Sequence, residues 1–148
     1  MRAALVMLLV LVGVAWALNP SREDFSWFLR LRRPAWLRFE RWIPLIWLVI
    51  YSCGYASALL VWGRTQSWGL MGGYLVLLVL VQSYTWLICR SRRLAPGTAV
   101  GLMGWLWGVA LAMAVMRQSQ PGMLLLLPYL LWSPVGTWVT WQMQRLNR

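Results

Sequence analysis

The chain has no histidine and no lysine, and only three acidic residues and two cysteines among 148 positions. Lacking imidazole, it cannot bind zinc or haem through histidine, and histidine-based acid–base catalysis is ruled out. Cys53 and Cys89 lie within or at the end of apolar runs and far apart in sequence, so they supply no metal-ligand set. Glu23, Asp24 and Glu40 all fall in one connector, which leaves every long apolar run without an ionisable side chain near its middle. An ion pump, a proton relay or a voltage sensor needs such charges at membrane depth. No catalytic residue, metal site or resident cofactor is assigned.

What the chain does have is arginine and apolar length. Fourteen arginines against three acids give a net charge of +11, which in a soluble protein would suggest nucleic acid. These arginines cluster between apolar runs and not along one amphipathic face, so the expected partner is the anionic surface of a lipid bilayer, with no nucleic acid. With 61% hydrophobic residues and a mean hydropathy of +0.61, the chain reads as one all-α membrane domain with no room for a soluble one.

The stretch Trp42 to Trp62 organises that reading. Its twenty-one uncharged residues would span about 31 Å as a helix, close to the hydrocarbon thickness of a bilayer. Tryptophan stands at both ends, with Arg41 before and Arg64 after, as expected of interfacial anchors. Trp47, Tyr51 and Tyr55 recur every four residues, which makes either a packed helix face or an aromatic cavity wall.

Five spans are expected, at about 3–18, 42–62, 68–89, 96–116 and 123–141, with a lid loop at 19–41. The first also resembles a signal peptide, having a short apolar core and Ala15-Trp16-Ala17 near its end. Cleavage there would translocate a loop carrying Arg22, Arg30, Arg32, Arg33, Arg38 and Arg41, against the positive-inside tendency, so a retained span is favoured. Aromatic residues in the loop suggest a short interfacial helix before Pro34 breaks it. Five spans put Arg2, Arg64 and Arg117 on one side and the other eleven arginines on the opposite side. This places the N-terminus outside and the lid and C-terminus in the cytoplasm, in a membrane read as the bacterial inner membrane.

Other features are open to two readings. Gly97 and Gly101, and Gly104, Gly108 and Ala112, form small-xxx-small faces that serve either packing within the monomer or a homodimer seam. Gln82 is expected to bond a neighbouring helix, Pro44 and Pro134 to kink theirs, and Tyr129 to be either an interfacial anchor or a pocket hydroxyl.

Several motifs, in order, resemble the TspO/MBR family of tryptophan-rich sensory proteins, relatives of the mitochondrial translocator protein. They are Pro34-Ala35-Trp36, Trp47-x-x-x-Tyr51, the run Gly54 to Trp62, Pro128-Tyr129-Leu130-Leu131-Trp132 and Leu146-Asn147. The resemblance implies a five-helix bundle, a homodimer, and a pocket beneath the first loop for a porphyrin or sterol-like ligand. Carried over by position, that pocket would include Trp36 in the lid, and Ile43, Pro44, Ile46, Trp47 and Tyr51 on the second span. Trp132, Gly136 and Val139 would contribute from the fifth. Arg33, Arg38 or Arg41 would pair with ligand carboxylates. Leu77, Val81 and Thr140 stand where the family is more polar, which makes the cavity side more apolar.

A ligand-binding sensor or carrier of tetrapyrroles is therefore the leading expectation. A structural or partner-regulating membrane protein is the alternative, and light-dependent porphyrin degradation a third reading.

Overall fold

The computed structural model describes residues 1–148, as helices joined by short turns with no strand. The helices are α1 (Arg2–Ala17), α2 (Arg22–Leu29), α3 (Ile43–Thr65), α4 (Trp68–Ser91), α5 (Ala95–Met116), α6 (Gln120–Leu124) and α7 (Leu127–Leu146). Four segments are long and apolar enough to cross a membrane: Glu40–Thr65, Trp68–Ser91, Ala95–Met116 and Gln120–Leu146. α1, at 16 residues, covers only about 24 Å and is followed by α2 at an angle of 76°. Only 24 of 148 residues are buried within the chain, and Leu5, Leu9, Leu48, Leu102 and Leu131 are exposed. Apolar side chains turned outward on every long helix are satisfied by lipid, so the molecule is an all-α integral membrane bundle.

The observed ends differ from the expected ones for local reasons. α3, α4 and α7 run past the ends of their expected spans to Thr65, Ser91 and Leu146. Gln66 and Arg92, both in the left-handed conformation, stop α3 and α4. The fifth span does not start as one helix at Met123. Pro128 lies in the first turn of α7, where its ring would clash with the carbonyl four residues back, so the helix breaks at Leu125–Leu126 and α6 precedes it.

The two prolines expected to kink their helices behave differently. Pro44 occupies the first turn of α3, where no backbone bond is lost, and introduces no break there. Pro134 is internal to α7 and cannot bond the carbonyl of Leu130; the indole Nε1–H of Trp105 donates to that oxygen instead, at 3.1 Å.

α5 is the packing hub. A Cβ on Gly104 would lie 2.8 Å from the Tyr129 hydroxyl, and one on Gly108 would lie 2.7 Å from the Tyr129 ring, while Gly97 and Gly101 abut Ile88 and Thr137. Both small-residue faces are thus consumed inside the monomer against α4 and α7. Two apolar clusters result: one around Val61, Leu111, Val115 and Tyr129, the other around Leu37, Ile88, Val139 and Met143. The candidate site lies between them.

Candidate ligand cavity

The lid is built from its own sequence signals. Ser21 caps α2, its Oγ accepting from the Asp24 N–H at 3.1 Å, and Glu23 and Asp24 favour the positive end of the helix. Phe25, Phe28 and Leu29 on α2 then roof a space between the helices. Pro34, buried, ends any continuation, and a single 3₁₀ turn, Glu40–Trp42, feeds α3.

Three ties hold this roof to the bundle. Asn147 pairs with the backbone of Arg32 in both directions, its Oδ1 accepting from Arg32 N–H and its Nδ2 donating to Arg32 O, each at 2.9 Å. The Trp36 indole Nε1–H donates to Gln142 Oε1 at 2.6 Å. Asp24 reaches Arg92 at 3.5 Å. The lid, the α4–α5 connector and the C-terminal end of α7 therefore share one end of the bundle, as the arginine count requires. Asn147→Ala removes both lid-to-helix bonds at an exposed site, an expected loss of about 1–2 kcal/mol. The check is proteolysis of the lid in detergent, which should accelerate while the spanning helices keep their ellipticity.

Beneath the roof is a cavity of about 360 Å³, at the small end of the usual range for ligand pockets. α3 contributes Ile43, Pro44 and Trp47; α4 contributes Leu80, Val81 and Tyr84; α7 contributes Trp132, Gly136 and Val139. Most hydroxyls in the wall are already engaged. Tyr84 and Thr140 bond each other, Thr140 also donates to Gly136 O at 3.1 Å, and Thr137 donates to Ser133 O at 2.9 Å. The exception is Trp132, whose Nε1–H is buried without a partner. It is the only buried side-chain nitrogen or oxygen in the molecule so left. An unpaired buried donor costs about 1–3 kcal/mol, and an acceptor on a guest would recover it. The single ionised pair in the wall is Arg33 with Glu40, at 2.6 Å, the Arg33 guanidinium also lying over the Phe28 ring.

Of the residues expected to form the site, Ile43, Pro44, Trp47, Trp132, Gly136, Val139 and Arg33 share this cavity. Trp36 stands outside it, stacked near Phe39 and tied to Gln142. Ile46 packs on the apolar cluster around Val61, and Tyr51 accepts from Gln82 Nε2 at 2.8 Å and faces a different space. Arg38 and Arg41 are exposed and absent from the wall; Arg41 lies over Trp42. The aromatic stripe on α3 therefore divides, Trp47 facing the lidded cavity and Tyr51 and Tyr55 the other side. Of the two readings of Tyr129 the structure favours the pocket residue over the interfacial anchor: it is buried in the cavity wall, its hydroxyl accepting from Ser133 Oγ at 3.5 Å. Of the three positions read as less polar, Val81 and Thr140 line the cavity and Leu77 does not. Reading the sequence did not assign the lid contacts of Asn147 and Gln142 or the charge cancelled by Glu40; the only signal was the Leu146-Asn147 pair.

A tryptophan-rich helical membrane bundle with a roofed, nearly apolar cavity defines the class. The model of the TspO/MBR family matches residues 3–146, and the chain belongs to that family. It is 27% identical over 123 residues to the tryptophan-rich sensory protein of Cereibacter sphaeroides, covering 82% of this chain and 77% of that one. Translocator protein 2 of Mus musculus is 35% identical over 123 residues, covering 77% and 74%. An uncharacterized membrane protein of Bacillus subtilis, YtaB, is 25% identical over 127 residues, covering 84% and 82%.

Proposed function

We propose that the lidded cavity binds a flat, largely apolar ligand of the tetrapyrrole or sterol-like class, and that the chain acts as its sensor or carrier. The observation that carries this is an apolar, aromatic-walled space under the lid that the chain's own side chains leave unfilled, with the buried and unpaired Trp132 Nε1–H set in its wall. Indole and phenol rings offer stacking surface to a conjugated guest. In this reading the lid and C-terminus face the cytoplasm of a bacterial inner membrane. A homodimer would use the outer faces of the bundle, because the small-residue faces of α5 are already packed against α4 and α7.

The charge arrangement distinguishes the ligand classes. Arg33 is the only cation in the wall, and Glu40 neutralises it. Titrating the full chain in detergent with protoporphyrin should quench tryptophan fluorescence saturably. Glu40→Gln frees the guanidinium and is expected to tighten protoporphyrin about fivefold, with Arg33→Gln weakening it by a similar factor. A sterol-like ligand carrying no carboxylate should be indifferent to both changes. Quenching that stays linear with concentration for every ligand would sink the reading and favour a partner-regulating role.

A further inference from the structure

A second and larger cavity, of about 660 Å³, lies across the wall formed by Val81 and Tyr129, between α1, α3 and α4. On α1 it runs from Arg2 to Leu11, about 14 Å of helix, or close to half of the roughly 30 Å of bilayer hydrocarbon. On α3 it runs from Ile50 to Trp62 and on α4 from Trp68 to Val81, so it extends from one interface to the midplane. Trp62 and Trp68, edge to face with centroids 5.1 Å apart, mark the interfacial end. Arg2 is the only charged residue in the wall; Arg64 in the last turn of α3 and Arg117 just after α5 share that end, and no acid does.

The space is walled almost wholly by apolar side chains. Tyr55 donates to Ala4 O at 2.9 Å, Tyr51 accepts from Gln82, and Tyr74 pairs with Ser57 at 2.6 Å, so three of its hydroxyls are tied to neighbouring helices. The bond from Tyr55 to Ala4 also fixes α1 to α3 along one edge. Gly54 and Gly72 face the space, and a Cβ on either would meet nothing within 4 Å.

We propose that this cavity is a binding site for an anionic phospholipid of the leaflet at the N-terminal end of α1, with an acyl chain inside and the phosphate on Arg2. Depth of one leaflet, almost wholly apolar walls, and a lone cation at the interfacial rim match that occupant. The lidded cavity, by contrast, has an unpaired donor and its own ion pair at the opposite end of the bundle.

The test is native mass spectrometry of the full chain in micelles doped with palmitoyl-oleoyl phosphatidylglycerol or the matching phosphatidylcholine. The wild type should retain one phosphatidylglycerol. Gly54→Leu with Gly72→Leu should retain none, and Arg2→Gln should cut the preference for phosphatidylglycerol over phosphatidylcholine about fivefold. Leu48→Phe, on the lipid-facing surface of α3, serves as a control and should change nothing. Equal retention by the filled variant, or none by the wild type, overturns the proposal. Should the filled variant not fold, the wild type decides through phosphatidylglycerol carrying a diazirine in its acyl chain. Label concentrated in 50–62 and 68–81 supports the site, and label spread evenly over the outer faces of α5 and α7 overturns it.

Discussion

Gly136→Leu is expected to abolish saturable ligand binding while leaving the bundle folded. Gly136 lies in the interior of α7 and in the wall of the lidded cavity, and a Cβ there would meet only Trp132 Nε1, at an ordinary 3.8 Å. A larger side chain therefore grows into about 360 Å³ of space and not into a neighbour. Leucine also favours the helix by nearly 1 kcal/mol over glycine, which offsets small packing losses. Affinity should fall more than a hundredfold, because the guest and the new side chain compete for the same volume. Trp132→Phe is the companion: it keeps an aromatic ring, removes the unpaired donor, and is expected to weaken binding about tenfold without lowering the stability of the ligand-free protein. Fluorescence titration against thermal unfolding in the same detergent separates the two effects. Unchanged affinity in Gly136→Leu would place the ligand outside this cavity.

The bundle was largely legible because each span announces itself through uncharged length bounded by arginine, as in Trp42 to Trp62 between Arg41 and Arg64. Ends were less legible, because helices outlast their apolar residues. Gln142, Met143 and Gln144 are good helix formers, so α7 continues to Leu146 after the apolar run has stopped. The cavity was legible on α3 and α7, where Trp47, Trp132 and Gly136 appear together as expected. What a linear reading could not weigh was rotation about a helix axis. Tyr51 is one turn from Trp47, their rings 5.8 Å apart, yet Trp47 faces the space under the lid and Tyr51 the one between α1, α3 and α4. Nor could it weigh charge cancellation. Arg33, Arg38 and Arg41 look equivalent in sequence, and only the fold selects Arg33 and then sets Glu40 against it.

Gly108→Leu should lower stability by about 3 kcal/mol or more. A Cβ at Gly108 would sit 2.7 Å from Tyr129 Cε1 and 3.2 Å from Leu130 Cδ2, before the rest of the leucine is placed. The Tyr129 ring cannot swing aside cheaply: it is 6% exposed, belongs to the larger apolar cluster and forms part of the wall of both cavities. α5 and α7 would have to separate, which also disturbs the bond from Trp105 to the carbonyl that Pro134 leaves free. Gly13→Leu gives the contrast, since a Cβ there meets nothing within 4 Å and the change should be neutral or mildly stabilising. Thermal unfolding followed by circular dichroism in detergent measures both. The same pair decides what the small-residue stripe on α5 is for. If it were a seam between two copies, Gly108→Leu would leave a folded monomer and remove only the dimer. Packing inside one copy requires instead that the fold itself loosen.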